Sequence, residues 1–474
     1  MHDWVRYAQN PRMDRLLKLL FAVGLCVLSF VFGAAAYQYQ VFPYPLLQDA
    51  KLAWDAWRQV SGEPLPFALK KFVVSTGATR DPLARRVDPA AGDEYILVTG
   101  GPYELTDYCP KFGCMAWIMD RKGRIVHVWD VNLDELWHGL TGVTGKANSV
   151  TMFPIGMALG RDGSLVATFQ SNDTFPFSIA IAKFDSAGRI VWKRFDYSHH
   201  WPALDDEGRI YTPYATFPKG VEYVGNTAIR LECATGQIHM DGIHVLSPEG
   251  KVLRDLSVLQ SFLRAGYVGW FYGLRDGCDP VHLNSIALVT DEIAKHLPGT
   301  KAGDLLISLR EPSAIAVIDG VTGEVKYAVS GRTAAQHNAQ FLPDGSVLAF
   351  DNLGGDRALG GSRVVRVNLL TGKSETVFPR GHEIGLLPFT SAIAGTISVS
   401  RDGKRALIAD TEQGTIVEID VATGRVLWVC ENIQNIEVIL KARHIKSLST
   451  SALFSVFGAY YVRDTGFLKQ GATQ

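Results

Sequence analysis

Residues 338–378, NAQFLPDGSVLAFDNLGGDRALGGSRVVRVNLLTGKSETVF, read as four short strands. Asn338–Leu342, Ser346–Asp351, Arg363–Asn368 and Lys373–Phe378 are each rich in β-branched or aromatic residues or alternate in polarity. Pro343-Asp344-Gly345 separates the first pair and Asn368–Gly372 the last pair. Glycine at such a turn supplies the positive φ that the hairpin needs.

The unit recurs along the chain. A polar or acidic residue, a short turn ending in glycine and then a strand occur at Asp120–Gly123, Asp185–Gly188, Ser247–Gly250, Asp319–Gly323, Asn368–Gly372 and Asp420–Gly424, six copies in all. A second hairpin precedes most copies. Its turns are Arg161-Asp162-Gly163, Asp206-Glu207-Gly208, Pro343-Asp344-Gly345 and Arg401-Asp402-Gly403, with Gly303 in the same part. Four antiparallel strands, repeated at roughly 50–70 residues, predict an all-β fold, a six-bladed β-propeller. A β-sandwich does not repeat in this way. The first copy lacks a clear inner strand, and Phe457–Val462 is the candidate to supply it.

Ahead of the repeats, Leu19–Tyr37 is an apolar run without charge. A membrane-spanning helix needs about 20 such residues. Arg6, Arg12, Arg15 and Lys18 precede the run, and only Lys51 and Arg58 follow nearby. The positive-inside rule therefore predicts a single-pass inner-membrane anchor with the propeller in the periplasm. A signal peptide cleaved near Ala34-Ala35-Ala36 is the rival reading and reaches the same compartment. Leu46–Val60 repeats apolar residues at helical spacing and predicts a short amphipathic helix, packed on the propeller or lying at the membrane surface. Pro64, Pro66 and the polar stretch Arg80–Asp93 read as a linker. The expected organisation is a tail and anchor over 1–40, the amphipathic helix and linker over 41–93, and the propeller over 94–474. An oligomer or a membrane partner is compatible with it.

An oxidising compartment permits disulfides. Among the six cysteines, Cys109 and Cys114 enclose a short turn and are the expected pair, although sequence does not fix connectivity. No second close cysteine pair supports a zinc site. The net charge is -1, and no basic stripe interleaves with aromatics, so no nucleic-acid partner is expected.

The inner strand of such a unit lines a central channel. Its start shares one face with the end of the second strand, because the two are antiparallel. His200 stands eight residues before Gly208 and His337 eight before Gly345. His282 opens the equivalent strand of the fourth copy. Two other copies carry Ile155 and Gly395 there. At the end of the second strand stand Arg310, Asp351-Asn352 and Asp410, and Asn284 follows His282 by two on the same side of its strand. This predicts a polar constellation at one mouth: His200, His282, Asn284, Arg310 and His337. The plain alternative is that each histidine is only a hydrogen-bonded strand end. His199 enters as a neighbour whose side chain competes with that of His200 for the mouth. His127 reads as packing beside Trp129. His138, His239, His244 and His382 have no partner that sequence names.

The set holds no acidic cluster for calcium or magnesium and no carboxylate pair for glycoside hydrolysis. It is cationic and rich in donors, which suits an anionic group. Arginine grips tetrahedral oxyanions at two points. Histidine offers a nucleophile or a proton donor near neutrality. Sulfate- or phosphate-ester transfer fits best, because its loose transition state rewards positioning and charge neutralisation.

At these residues the sequence resembles the bacterial arylsulfotransferase family, enzymes that do not use the nucleotide sulfate donor. The matching stretches are His199-His200 with Asp205–Gly208, Asp279–Ser285, Ser308–Arg310, Gln336–Gly345 and Phe350–Asn352. Gly395–Trp428 follows the family's last blade. The resemblance implies a six-bladed propeller and a ping-pong mechanism without metal, nucleotide or other cofactor. It makes His337 the nucleophile, which takes a sulfuryl group from an aryl sulfate donor and passes it to a phenolic acceptor. His282, Asn284, Arg310 and His200 match the sulfate-binding set, with His282 or His200 protonating the leaving phenolate. The N-terminal β-sandwich associated with the family has no room here. A propeller hydrolase of esters or lactones and a binding or scaffold propeller are the competing readings. Tyr267–Tyr272 is either an aryl-group wall or core packing.

Overall fold

The computed structural model describes residues 11–39, 41–43, 46, 73–76, 84–100, 114–145, 152–171, 174–218, 222–231, 233, 237–274, 277–381, 386–437, 441 and 450–469. The chain divides into two compact units, Met1–Glu63 and Pro64–Gln474. In the first unit Pro11–Tyr39 forms one helix. Its segment Arg15–Ala36 is 22 residues long and apolar enough to cross a bilayer. At about 1.5 Å per residue it spans roughly the 30 Å of a hydrocarbon core. Its large apolar side chains, Phe21 and Phe30 among them, are exposed, as suits a single-pass anchor. Apart from Leu46, the expected amphipathic helix lies outside the described residues, as do Cys109 and His382.

The second unit is mostly β. Six antiparallel sheets of four or five strands follow one another. The first pairs Gly458–Tyr461 with Ile96–Thr99, then adds Cys114–Met119 and Ile125–Asp130. The second runs Met152–Leu159, Leu165–Ser171, Ser178–Phe184 and Ile190–Arg194. The third runs Ala203–Leu204, Ile210–Thr216, Met240–Leu246 and Val252–Ser257. The fourth runs Leu283–Leu288, Leu305–Leu309, Ala314–Ile318 and Val325–Ser330. The fifth runs His337–Phe341, Val347–Asp351, Arg363–Val367 and Ser374–Phe378, within a residue of the expected strands. The sixth runs Thr396–Val399, Arg405–Asp410, Thr415–Asp420 and Val426–Glu431. Ala84–Arg86, which sequence placed in the linker, joins the sixth sheet as an outer fifth strand against Trp428–Cys430. Its backbone groups complete the ladder that Val426–Glu431 would otherwise expose.

The hairpin turns take the conformation that their glycines allow. Gly403, at φ 70°, sits against Pro343 of the fifth sheet, where an added Cβ would lie 2.3 Å from the proline ring.

The inner strands touch one another in sequence. Met152–Leu159 meets Ala203–Leu204, which meets Leu283–Leu288, then His337–Phe341, Thr396–Val399 and Gly458–Tyr461, and this last strand contacts Met152–Leu159 again. Hydrogen bonds cross several of these junctions. Thr168 Oγ1 donates to the His200 carbonyl at 2.5 Å, the Ile397 N–H donates to Asn338 Oδ1 at 2.9 Å, and the Ala459 N–H donates to Thr396 Oγ1 at 3.3 Å. Apolar clusters fill the space between neighbouring sheets. Val289, Leu306 and Val317 pack with Ala339, Val347 and Val365, and Leu348 and Val364 pack with Ile397, Ile408 and Val417. Burial of such faces is the main force holding sheet to sheet.

A disulfide joins Cys233 to Cys278. Tyr267–Tyr272 holds a short helical turn, Val268–Phe271, whose Trp270 packs on Phe262 at 5.2 Å and on Tyr267 at 4.5 Å. Most of this aromatic segment is therefore packing, although Tyr272 is exposed.

Candidate active site

The inner strands of the fourth and fifth sheets begin irregularly. Their pairing with the second strand shifts register between Leu283 and Ser285 and between His337 and Gln340. His200, His282 and Asn338 lie at φ 52°, 50° and 48°. Such backbone is uncommon outside glycine and costs on the order of 1–3 kcal/mol per residue. Bulges of this kind re-aim side chains. With the positive φ of His200, this backbone brings three imidazoles together, with ring centres 5.0 Å apart for His200 and His282, 5.8 Å for His282 and His337, and 6.2 Å for His200 and His337. Three of the expected residues, from three consecutive sheets, are thus brought together.

His337 is held on every side. Gln336 Nε2 donates to the carbonyls of Leu309 and Ala314 at 2.9 Å each, tying the preceding residue to the fourth sheet. Asn338 Oδ1 ties the following residue to the sixth. Asn352 Nδ2 donates to the carbonyls of Ser391 and Ala394 at 2.6 and 2.7 Å, so its Oδ1 must accept. The partner of that oxygen is His337 Nδ1 at 2.8 Å. The proton of a neutral His337 therefore sits on Nδ1, and Nε2 carries the lone pair. Nε2 is buried and has no hydrogen-bond partner among the described residues. Burial, then the charges of His282 and Arg310, push the His337 pKa down to about 3, so the ring stays neutral. Sequence reasoning passes over Asn352 as a site residue; the available signal is an amide one residue beyond the strand that pairs with the histidine strand.

His282 Nδ1 faces Asp279 Oδ2 at 2.5 Å. His200 Nδ1 faces His199 Nδ1 at 2.7 Å. His200 joins the trio and His199 stands behind it, packed 5.2 Å from the His239 ring. Behind the trio the contacts continue. Asp241 Oδ1 lies 3.2 Å from His199 Nε2 and 2.9 Å from His239 Nδ1, and Asp279 Oδ1 lies 3.6 Å from His239 Nδ1. None of these last contacts is an aligned hydrogen bond, and the two made by His239 join opposite charges. A buried loop thus runs from His282 through Asp279, His239, Asp241 and His199 back to His200. Asp241 Oδ2 also accepts the Leu283 N–H at 2.5 Å, fixing the backbone next to His282.

Burial alone would lower His239, but the carboxylates of Asp279 and Asp241 outweigh it and raise its pKa to about 10. His239 is an imidazolium, stacked on Phe177 with ring centres 4.8 Å apart. Burial opposes ionisation of Asp279, yet the charges of His282 and His239 hold it well below the carboxylate range. Burial, then the charges of His199, His282 and His337, holds His200 well below its ordinary value. His239 had no partner legible in sequence, because its partners lie on other strands. The spacing Asp279-x-x-His282 is the clue that the sequence offers. His244 stacks on Tyr214 and His127 packs against Trp129, away from the trio.

Arg310 follows the second strand of the fourth sheet, and its N–H donates to the His282 carbonyl at 3.1 Å. Its guanidinium pairs with Glu311 at 2.8 Å, and its charge reaches His337. Asn284 is fully buried. Its Nδ2 donates to the Gln336 carbonyl at 2.7 Å and its Oδ1 accepts the Asn338 N–H at 3.3 Å, so it braces the backbone on both sides of His337.

A family model for arylsulfotransferase (ASST) matches residues 161–433, more than half of the chain. The chain belongs to the arylsulfotransferase family. The arylsulfotransferase match contains all three histidines of the trio with Asn284 and Arg310, and leaves out the helix, the whole of the first sheet and the strand Met152–Leu159. No curated protein matches the chain. Among solved structures, the chain is similar to a protein of unknown function from Bacteroides caccae (11% identity, TM-score 0.44, covering 79% of this chain and 100% of that one). It is also similar to a Nidogen/Laminin complex chain (11%, 0.41, 79% and 100%) and to a putative 6-phosphogluconolactonase from Bacteroides fragilis (12%, 0.38, 79% and 99%).

Proposed function

We propose that the chain is an aryl-sulfate sulfotransferase working by a ping-pong mechanism through a sulfohistidine at His337. The supporting observation is the neutral His337 ring, fixed by Asn352 with its Nε2 lone pair buried and unpartnered among histidines. In the first half-reaction Nε2 attacks the sulfur of an aryl sulfate. The N–S bond forms as the S–O bond to the aryl group breaks. The phenolate leaves with a proton from His282, whose other ring nitrogen is held by Asp279. Positive charge developing on the His337 ring is shared through Nδ1–H with Asn352. In the second half-reaction the acceptor phenol returns a proton to His282, its oxygen attacks sulfur, and the N–S bond breaks. Arg310 and His200 face the sulfuryl oxygens, and Asn284 keeps the nucleophile in register.

The six sheets are read as the blades of a closed propeller, because their inner strands contact one another around a full circuit. The helix Pro11–Tyr39 is read as an inner-membrane anchor with the sheets in the periplasm. The test is incubation with 4-nitrophenyl sulfate, then intact mass. A sulfuryl adduct, discharged by phenol and absent in His337→Ala, is expected. Nitrophenol release with no adduct and no transfer to phenol overturns the proposal.

A further inference from the structure

We propose that the three-histidine cluster also binds one divalent transition-metal ion, with zinc the best fit, and that the metal competes with the sulfate ester. The competition rests on the function proposed above; the binding rests on geometry. Single ring nitrogens of His200, His282 and His337 lie within 4.8 Å of one another. Three imidazoles on one tetrahedral zinc, at Zn–N of about 2.0–2.1 Å, set ring centres roughly 5 Å apart. The observed separations are 5.0, 5.8 and 6.2 Å. A shift of about 1 Å in one ring closes the set around an ion of that size.

The surroundings match what a metal demands of its ligands. A ligating histidine uses its second nitrogen on a carboxylate, an amide oxygen or another acceptor, which fixes ring orientation and raises basicity. Each histidine here does so: His337 on Asn352, His282 on Asp279 and His200 on His199. His337 Nε2 needs no proton displaced before it binds. The Asp279 carboxylate faces the cluster and offsets the ion's charge. Arg310 opposes it, but its guanidinium is paired with Glu311. The neighbouring group His199, His239 and Asp241 is as closely set, yet His239 Nε2 is already held by Ser178 at 3.0 Å and its Nδ1 faces the Asp241 carboxylate at 2.9 Å. The metal is a competitor here, since sulfuryl transfer needs the same His337 lone pair.

Metal-free full-length protein, titrated with cobalt(II), tests this. A visible tetrahedral cobalt band saturating at one ion per chain is expected, displaced by zinc and lost when His200, His282 and His337 are all alanine. Asp279→Asn and Asn352→Ala, which leave the three ligands in place, are expected to weaken cobalt binding roughly 10–100-fold. Zinc at ten times its Kd is expected to slow 4-nitrophenyl sulfate turnover roughly tenfold at low donor, with a chelator restoring it. No bound cobalt in the wild type, or a band that survives in the triple variant, overturns the site. Binding without inhibition overturns the competition. If metal-free protein binds cobalt but transfers no sulfuryl group, the function proposed above fails and the site stands.

Discussion

Two buried charged clusters can be set side by side. One lies where the sixth sheet meets the first. Glu418, fully buried, accepts Arg121 at 2.9 Å, Arg405 at 3.2 Å, the Tyr461 hydroxyl at 2.7 Å and the Gly92 N–H at 3.0 Å, while Arg405 also holds Glu94 at 2.5 Å. The other is the loop of His282, Asp279, His239, Asp241 and His199 behind the trio. Both are largely buried and both pair opposite charges. The first is built on guanidinium, which keeps its charge at every accessible pH, so it acts as a fixed clasp. The second is built on imidazole, whose charge depends on its neighbours and can change during a reaction. Burial marks both clusters; the identity of the base tells the fixed clasp from the cluster that can titrate.

The contrast can be broken by experiment, beginning with the largest effect. His337→Ala should abolish the adduct and transfer while chemical unfolding stays cooperative; intact mass and denaturant curves check both. Glu418→Ala should cost about 3–5 kcal/mol in unfolding free energy, because Arg121 and Arg405 lose a buried partner. Turnover per folded molecule should hold, which urea unfolding beside an active-site titration would read. His282→Gln should slow transfer by roughly 10²–10⁴-fold for unactivated phenols and much less for 4-nitrophenyl sulfate, whose leaving group needs little protonation. Asn352→Ala should slow adduct formation by about 1–3 kcal/mol of barrier, the cost of unpinning one buried hydrogen bond.

Dependence on pH sharpens the same contrast. His239 has its folded pKa raised to about 10, so its contribution to stability is complete below its ordinary 6.5 and fades as pH climbs through 10. His337, depressed to about 3, refuses protons that the unfolded chain accepts, so stability falls as pH drops below 6.5. Its neutrality also means that loss of the nucleophile by protonation waits until about pH 3. Glu94 in the clasp is held at about 2, and its contribution fades only as pH falls from 4.5 toward that value. Unfolding curves across pH should lose their alkaline decline in His239→Gln and keep it in Glu418→Ala.

The repeat made most of this legible. Turn glycines and polar openings located the hairpins of the six sheets, because a hairpin turn is a local event, and missed outlying strands such as Val73–Thr76 and Ala84–Arg86. The register argument found His200, His282 and His337 because equivalent positions of a repeat fall at equivalent places. It could not find His239, Asp241 or Asp279 as a group, since their contacts run between strands and loops far apart in sequence. Nor did it find Cys233–Cys278, because spacing carries no information on which distant thiols meet. Asn284 shows a subtler gap. Its type was read as an oxyanion donor, whereas its amide also holds backbone on either side of His337.

One feature has a consequence in time. The strand Gly458–Tyr461 completes the first sheet by pairing with Ile96–Thr99. A ribosome releases those two segments far apart, so Ile96–Thr99 must wait with one edge unpaired until residue 461 has emerged. Unpaired edges are where chains stick to strangers. A vulnerable moment for the molecule therefore comes during synthesis, before the strand Gly458–Tyr461 is available. A chain shortened before residue 458 should be recognisable by aggregation rather than by a partial loss of activity.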